Sequence, residues 1–197
     1  MNYLAVIAAY LLGSLPFGFL VSKYWKGVNI LEHGSGNIGF TNVLRTVGWP
    51  PAAVVLIGDV GKGALAVWLG MKTSGEAFGI FCGMAALMGH SYSIFIKFKG
   101  GKMVATGLGV LLVLAPKVAL VAAVVWLLVL ALTRYVSLAS ILAAFSLLPS
   151  MYIFGASAGI KVFLGAAAAF VIFRHRANVG RLRSGQEYKI GEKSGRK

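Results

Sequence analysis

Apolar residues fall into seven runs along the chain, separated by short stretches that contain glycine, proline or charged residues. A helix needs about 20 predominantly apolar residues to cross a bilayer, and most of the runs approach that length. The pattern predicts an all-α integral membrane protein with seven transmembrane helices in a single domain, residues 1–197. The predicted spans are residues 3–21, 51–71, 77–96, 103–115, 118–133, 136–154 and 160–173.

The boundary between the fourth and fifth runs leaves a second possibility open. Only Pro116 and Lys117 separate these two runs, and both runs are short. If they formed one long bent helix, the chain would have six spans. A proline followed by a charge is a sensible helix break, so we favour seven.

The composition supports a membrane protein and excludes several other classes. Hydrophobic residues make up 58% of the chain and charged residues 12%, against about 45–50% and about 25% in soluble domains. The net charge of +14 does not indicate a nucleic-acid-binding or disordered protein, because such chains are poor in apolar residues. The single cysteine, Cys82, excludes a disulfide framework and a cysteine-based metal site. We expect no metal ion and no other cofactor.

Positive charges predict how the spans are oriented. Lys and Arg concentrate in the cytoplasmic loops of membrane proteins. If the N-terminus lies outside, only Lys72, Lys117 and Lys161 fall on the outer side, and most of the other basic residues fall in the inner loops and the tail. We therefore predict an outside N-terminus and a cytoplasmic C-terminus. An inner basic surface also favours contact with anionic lipid headgroups.

The first inner loop, predicted over residues 24–50, contains a stretch rich in glycine and hydrogen-bonding side chains. Closely spaced glycines let successive backbone amides form a nest for an anion. Thr41 can cap a short helix, and Arg45 on the first turns of that helix can hold a phosphate through two parallel bonds. The alternative is a flexible connection with one anchoring arginine. The candidate phosphate ligands are Gly34, Ser35, Gly36, Asn37, Thr41, Asn42 and Arg45.

A second polar segment follows the third run and combines two glycines with a lysine where the next helix begins. Such a helix N-terminus offers free amides beside a cation. The segment is not a Walker A loop, because the first glycine of that motif is absent and Met103 replaces its Ser or Thr. His90 either contacts substrate, carries a proton or is a histidine satisfied at a helix end. The candidate ligands are Gly100, Gly101, Lys102 and Thr106.

The third polar segment, residues 174–187, opens the tail. Much of it is typical of a basic flank that ends a span, but Asn178 and Gly180 are less expected there. Glu187 among several arginines indicates a structural ion pair that orders the segment, since paired charges are commoner than catalytic carboxylates.

Even numbers of predicted spans separate the three segments, so all three are expected to face the cytoplasm. Donor-rich segments on one side of the membrane suggest one shared anion site at its surface. Ser137 and Ser140 begin the sixth span on the same side. They either join this site or serve helix packing.

Asp59 and Lys62 lie within the second span, three residues apart on one helical face. Charges inside a span are costly and mostly face the interior in pairs. A structural ion pair is therefore the first interpretation. Proton or ion transport through this pair is the alternative, and it would make the protein a small membrane transporter.

Together these segments resemble the family of acyl-phosphate-dependent glycerol-3-phosphate acyltransferases of bacterial membranes. The resemblance rests on GSGNIGFTNVLRTVG at 34–48, GHSYSIFIKFKGGKMVAT at 89–106 and RHRANVGRLRSGQE at 174–187. The DxxK pair of span two and the RYVSLAS sequence at the start of span six match as well. Phe40 replaces a small residue of the family, Ser93 a proline and Met103 a glycine. Because methionine lacks the freedom of glycine, we expect Met103 not to adopt a glycine conformation.

The resemblance implies acyl transfer from a fatty acyl phosphate to the 1-hydroxyl of glycerol 3-phosphate. The products are 1-acyl-glycerol 3-phosphate (lysophosphatidic acid) and phosphate, and the reaction is the first step of phospholipid synthesis. It implies an active site on the cytoplasmic face of the bacterial cytoplasmic (inner) membrane. The expected partners are the two substrates and membrane lipid, with no nucleic acid and no obligatory protein partner.

The resemblance also implies roles for individual residues. We expect Ser35, Arg45 and Lys102 to bind phosphate, and the amides of Gly100 and Gly101 to hold the acyl phosphate as its charge shifts. The side chains expected to orient the phosphates or the attacking hydroxyl are those of His90, His175 and Asn178.

The general base is not evident from the histidines. Other glycerolipid acyltransferases use H-x-x-x-x-D, with the histidine as base. None of His33, His90 and His175 is followed by an Asp five residues later. We hypothesise that the substrate's own phosphate accepts the proton while the protein mainly positions the reactants.

Overall fold

The computed structural model describes residues 3–192, and every regular element in that range is helical. Single 3₁₀ turns form at Ile30–Glu32 and Ile94–Ile96. The α-helices in chain order are α1 Tyr3–Ser14, α2 Phe17–Lys26, α3 Phe40–Thr46, α4 Trp49–Ser91, α5 Val104–Leu114, α6 Pro116–Thr133, α7 Val136–Ile153, α8 Ala158–Arg174 and α9 Arg176–Arg183.

Several helices are long and apolar enough to cross a membrane. By length and composition, residues 3–192 contain four such segments. The helices α8 and α9 meet at a bend of 52° and make a fifth if the pair is one span. The protein is thus an all-α integral membrane protein, as the apolar pattern predicts. The four segments are Tyr3–Lys26, Trp49–Ile96, Pro116–Thr133 and Val136–Ile153.

The first membrane segment is interrupted between α1 and α2. Pro16 has no N–H group and restricts the residue before it, so α1 ends at Ser14 and α2 begins at Phe17. Gly27 ends α2 in the left-handed conformation, with φ of 66°. The predicted span 3–21 therefore misses both the break and the last turns of α2. The predicted loop over 24–50 is also wrong in part, because it contains the end of α2. The short helix expected within this loop is α3.

The helix α4 is a hairpin of two arms rather than one rod. Its 43 residues would measure on the order of 64 Å if straight, about twice the hydrocarbon thickness of a bilayer. Ser74 and Gly75 have non-helical backbone angles, and beyond them the chain folds back. A methyl group at Gly70 would collide with Cys82, twelve residues later. The arms, residues 49–73 and 76–91, correspond to the predicted second and third spans, although the second arm stops five residues early.

The described residues divide into two compact units by their internal contacts, residues 3–110 with 191–192 and residues 111–190. In the first unit α1 lies close against the second arm of the hairpin. A methyl group at Gly13 would collide with the Ala86 backbone. Small residues at helix crossings let membrane helices approach closely.

In the second unit, α7 packs against both α6 and α8. Pro116 occupies the first turn of α6, where a missing N–H group costs no helical hydrogen bond. The helix therefore breaks at Ala115, as the proline predicts. The indole N–H of Trp126 donates to Ser140 Oγ at 3.2 Å and ties α6 to α7.

Candidate active site

The glycine-rich loop rests on an apolar cluster in the first unit. Val43 of α3 and Val47, the C-cap residue of that helix, are four residues apart and therefore share one face. Burying this face holds a helix that would be marginal in isolation. The buried members of the cluster are Ile30, Ile38, Val43, Val47, Ala52, Val55 and Ile96.

Asn42 holds the loop together from inside α3. It is 2% exposed, and its Oδ1 accepts from the Ser35 amide at 3.0 Å. Its Nδ2 lies within hydrogen-bond distance of the carbonyls of Asn37, at 2.9 Å, and His33, at 3.0 Å. The predicted ligand Asn42 thus uses its side chain within the protein, which sets the shape of the loop around any anion.

The prediction that Thr41 caps α3 is wrong. The N-cap residue is Gly39, and no side chain caps the helix. The Asn37 side chain instead accepts from the Gly39 amide at 2.9 Å, which closes a turn before the helix. Thr41 lies inside the first turn and is half-buried, because the helix begins one residue before it, at Phe40.

In the chain, Ser35 precedes Asn42 and Arg45 follows it. Ser35 is exposed between Gly34 and Gly36, both of which adopt the left-handed conformation that favours glycine, with φ of 59° and 66°. Arg45 is half-buried in the last turn of α3, not on its first turns as predicted. The loop therefore offers an exposed hydroxyl and a guanidinium, the groups that bind phosphate most readily.

Sequence reasoning missed two residues of this loop. Asn29 caps the 3₁₀ turn by accepting from the Leu31 amide, and its Nδ2 donates to Glu32 at 2.5 Å. Thr46 places a buried hydroxyl beside Gly34, and no atom of the described residues makes a hydrogen bond to it. The signal was available for Thr46, since it lies four residues after Asn42 and so shares its face of α3.

The second segment forms a tight turn against the end of α4. The Gly101 amide donates to the His90 carbonyl at 3.0 Å, and Ser91 Oγ donates to the Gly101 carbonyl at 3.2 Å. Methyl groups at Gly100 and Gly101 would collide with His90 and Ser91, so only glycine fits in the glycine turn, Gly100–Gly101. The prediction that the Gly101 amide holds acyl phosphate does not match this arrangement, because that amide already has an acceptor within the protein.

Met103, two residues after the turn, corrects a second prediction. Met103 is buried and has φ of 68°, in the left-handed region that we expected it to avoid. The chain needs this conformation to turn into α5, and the buried side chain helps to hold it against a cost of about 1–2 kcal/mol. Lys102 is half-buried just before it, and Thr106 is fully buried on the first turn of α5.

A buried polar cluster lies beneath the glycine turn. Lys62 Nζ is 2.7 Å from Asp59 Oδ1, and His90 Nδ1 is 3.6 Å from the same oxygen. The Lys62 ammonium also donates to the Leu15 carbonyl at 2.8 Å and lies over the Phe17 ring. The Asp59 cluster, Asp59 with Lys62 and His90, therefore contains the predicted ion pair and reaches the break between α1 and α2.

An apolar groove of about 230 Å³ opens at the same break. Pro16 leaves a gap between α1 and α2, and the 3₁₀ turn Ile94–Ile96 closes its other side. Each lining residue is apolar, as a hydrocarbon chain requires. The residues that line this Pro16 groove are Leu15, Pro16, Phe19, Leu20, Phe95 and Ile96.

The third segment, in the second unit, is ordered by Glu187. The Asn178 amide donates to Glu187 Oε1 at 2.6 Å, and Arg181 Nε donates to Oε2 at 2.7 Å. Burial alone would raise the pKa of Glu187, but hydrogen bonds from Asn178, Ser137 and Arg181, with the charge of Arg181, lower it below its usual value. Glu187 is thus a charged acceptor that holds the tail against α9.

The other predicted residues of this unit occupy different settings. His175 is buried where α8 bends into α9, and its Nδ1 contacts the Val171 carbonyl at 2.8 Å. Gly180 is exposed on α9. Ser140 donates to the Val136 carbonyl at 2.8 Å and accepts from Trp126, the bonding expected of a helix-packing serine. Within residues 3–192, no group of three or more His, Cys, Asp or Glu side chains is arranged to hold a metal ion.

The fold and the order of the three segments place the chain among membrane-integral acyltransferases. The family model of glycerol-3-phosphate acyltransferase matches residues 3–185, and the chain belongs to that family. The glycerol-3-phosphate acyltransferase of Carboxydothermus hydrogenoformans is 50% identical over 192 residues, which is 97% of each chain. The enzyme of Desulforamulus reducens is 44% identical over 95% of this chain and 94% of its own.

Two solved structures of glycerol 3-phosphate acyltransferases also match the chain. The structure of PlsY (YgiH), an integral membrane glycerol 3-phosphate acyltransferase, in its glycerol 3-phosphate form, matches with a TM-score of 0.91 and 40% identity over 96% of this chain and 95% of that one. The lysophosphatidic acid form of PlsY matches with a TM-score of 0.87 and 38% identity over the same shares.

Proposed function

We propose that this glycerol-3-phosphate acyltransferase takes its acyl group from a fatty acyl phosphate and transfers it to the 1-hydroxyl of glycerol 3-phosphate. The hydroxyl oxygen attacks the carbonyl carbon of the mixed anhydride. The bond between that carbon and the phosphate oxygen then breaks, and phosphate leaves with the electron pair. The products are lysophosphatidic acid and inorganic phosphate.

The proposal rests on the residues that flank the glycine turn in the first unit. Lys102 follows the turn and comes just before α5. Phe95 and Ile96, which line the Pro16 groove, come shortly before the turn in the chain. A donor with a phosphate head and a hydrocarbon tail fits a cation followed by an apolar groove. We assign the tail of the acyl phosphate to the groove and its phosphate to Lys102.

The loop of residues 34–45 is assigned to phosphate binding as well. Ser35 supplies a hydroxyl and Arg45 a guanidinium, while Asn42 fixes the backbone between them. Arg is suited to phosphate because its planar group forms two parallel bonds. We infer that this loop binds the phosphate of glycerol 3-phosphate.

In the second unit, Asn178 and His175 are proposed to orient substrate. Both are buried, and a side-chain contact helps to fix the direction of each, Asn178 to Glu187 and His175 to the Val171 carbonyl. A catalytic side chain whose rotamer is fixed in advance loses little freedom when substrate binds. Ser137 and Gly180 are further candidate contacts to substrate in the same unit.

The proton of the hydroxyl is proposed to pass to the substrate's own phosphate. A phosphate with a second pKa near 6 is partly dianionic at neutral pH and can accept a proton. Acyl phosphate brings a good leaving group, so the protein's main task is to align the two substrates.

We also propose seven membrane spans, with the N-terminus outside and the active site on the cytoplasmic face. Support comes from the turn at Ser74–Gly75, which divides α4 into two arms, and from the break at Ala115 between α5 and α6. The distribution of Lys and Arg supports the orientation.

The donor is tested with purified protein, glycerol 3-phosphate and either palmitoyl phosphate or palmitoyl-CoA at equal concentration. We expect lysophosphatidic acid from palmitoyl phosphate and none from palmitoyl-CoA. Lysophosphatidic acid formed from palmitoyl-CoA but not from palmitoyl phosphate would overturn the proposed donor. Arg45→Gln serves as a negative control, because it removes a charge without changing the membrane segments.

A further inference from the structure

We propose that Arg134, in the turn between α6 and α7, is a positioning residue for acyl transfer, which clamps the tail and through Glu187 directs Asn178. Arg134 is the first residue of the RYVSLAS sequence. All three residues belong to the second unit. The inference rests on the proposed function in one respect, the contact of Asn178 with substrate. Arg134 itself is not expected to touch substrate.

Two hydrogen bonds join Arg134 to the tail. The Ile190 amide donates to the Arg134 carbonyl at 2.8 Å, and Arg134 Nη2 donates to the Ile190 carbonyl at 3.1 Å. The neighbouring residues also meet, because Lys189 Nζ lies 5.6 Å from the centre of the Tyr135 ring. Two consecutive residues of the tail thus contact both residues that connect α6 to α7. The Arg134 clamp consists of Arg134, Tyr135, Lys189 and Ile190.

The backbone of Arg134 favours a different residue. It ends α6 in the left-handed conformation, with φ of 62°, where glycine is the usual residue because it has no Cβ. The Arg134 amide donates to the Leu130 carbonyl at 2.8 Å. The Tyr135 amide donates to Thr133 Oγ1 at 3.2 Å. Because these bonds shape the turn without the guanidinium, an arginine at this strained position is best explained by its contact with the tail.

The clamp fixes one end of a short tail segment, and the turn after α9 fixes the other. Gly185 has φ of 69°, and the Gln186 amide donates to the Arg181 carbonyl at 2.8 Å. Glu187 lies between these two fixed points and is buried, with Oε1 2.6 Å from Asn178 Nδ2. A segment tied at one end only would hinge at Gly185 and regain backbone freedom, as chain ends generally do. Fixing the second end therefore keeps the carboxylate where it directs Asn178.

A contribution to stability alone predicts a different result. Arg134 is exposed, and substitutions at exposed sites usually change the free energy of unfolding little. Arg134→Gly removes the contact and also relieves the left-handed backbone, so its effects on Tm largely cancel. A positioning residue still loses activity, because a small displacement of a substrate-binding group costs far more in rate than in stability.

The test compares variants on both sides of the clamp. Arg134→Gly removes the guanidinium, and Arg134→Lys keeps a long cationic donor. Ile190→Pro removes the amide that donates to Arg134, and Ile190→Ala is its matched control because it keeps both backbone groups. Lysophosphatidic acid formation is measured with whichever of palmitoyl phosphate and palmitoyl-CoA the wild type uses. Tm and the hydrogen exchange of residues 186–190 are measured in the same detergent.

We expect kcat/KM for glycerol 3-phosphate to fall about five- to tenfold in Arg134→Gly and Ile190→Pro, less than the roughly 100-fold cost of a 1 Å misplacement. Tm is expected to stay within about 3 °C of the wild-type value, while the amides of residues 186–190 exchange at least about tenfold faster. Arg134→Lys and Ile190→Ala are expected to stay within about twofold of the wild type in kcat/KM, since each leaves the clamp its donors.

Combining Arg134→Gly with Glu187→Gln tests whether the clamp acts through Glu187. Residues that act as one unit give losses that do not add, so we expect the double variant to lie within about twofold of Glu187→Gln. A further loss of five- to tenfold would overturn the route through Glu187.

Wild-type kcat/KM in Arg134→Gly, or an equal loss in Ile190→Ala, would overturn the inference. Asn178→Ala separates this failure from a failure of the proposed function. If Asn178→Ala loses activity while Arg134→Gly does not, the inference alone fails. If Asn178→Ala also keeps wild-type kcat/KM, the assignment of Asn178 to substrate fails with it.

Discussion

Asn178 donates its side-chain amide to Glu187 Oε1 at 2.6 Å, across the turn that follows α9. Gly185 makes that turn with φ of 69°, and the Gln186 amide closes it on the Arg181 carbonyl at 2.8 Å. A tail carboxylate therefore aims a residue that we assign to substrate. Its charge is the feature that makes both Asn178 and Arg181 point inward.

Glu187→Gln is expected to destabilise the second unit by about 1–3 kcal/mol, because Asn178 and Arg181 lose a charged acceptor. The folded state lowers the pKa of Glu187. The stabilisation is therefore complete above the ordinary glutamate pKa, near 4.3, and is lost as pH falls through the lower folded value. The measurement is the difference in Tm between wild type and variant across pH 3 to 7. A constant difference would contradict the assignment, and Glu76→Gln, at an exposed site, is the control.

Asn42→Ala is expected to disorder the loop of residues 34–45, because each backbone partner left unsatisfied costs about 1–3 kcal/mol. The KM for glycerol 3-phosphate should rise by about 10- to 100-fold, since Ser35 and Arg45 lose their fixed spacing. Asn37→Ala removes the single Gly39 contact and should have a smaller effect. Equal effects of the two variants would show that Asn42 does not organise the loop.

Met103→Gly is expected to be more stable than Met103→Ala by about 1 kcal/mol, because alanine is strained at a left-handed position. The helical position Met84 supplies the control, since glycine there should be less stable than alanine by about 1 kcal/mol. Thermal unfolding of the four variants measures both orders. The same order at both positions would contradict the left-handed conformation of Met103.

Leu20→Trp is expected to fill the Pro16 groove and to shorten the preferred acyl chain. We expect kcat/KM to fall about tenfold or more for palmitoyl phosphate and to change little for octanoyl phosphate, because only the longer chain needs the filled volume. Leu132→Trp, at a site that is 84% exposed, is the control for an added indole in the membrane. Equal losses of kcat/KM for both donors would show that the acyl chain does not lie in the Pro16 groove.

The ends of most helices were predictable because the apolar runs stop at glycine, proline or charge. The predicted span 118–133 and the helix Pro116–Thr133 differ by two residues at one end. The break at Pro16 was missed because the residues on both sides are equally apolar, so hydropathy carries no signal there. The helix α3 was predicted only as a short helix within a loop, without bounds, because it is seven residues long and lies among polar residues.

The site was predictable as a set of residues but not as a set of contacts. The pattern indicated Asn42 and Gly101 as ligands because their chemistry suits phosphate. The structure gives them internal partners, Ser35 and His90, which depend on how the chain returns on itself. The contact of Lys62 with Leu15 spans 47 residues of sequence, and no local pattern predicts a contact of that kind.

The central claim is tested most directly by the stoichiometry of one reaction. Purified protein is incubated with palmitoyl phosphate and glycerol 3-phosphate, and both inorganic phosphate and lysophosphatidic acid are measured. The account predicts one phosphate for each lysophosphatidic acid, and neither product when glycerol 3-phosphate is omitted. Phosphate release that does not depend on glycerol 3-phosphate, or no release with both substrates present, would contradict it.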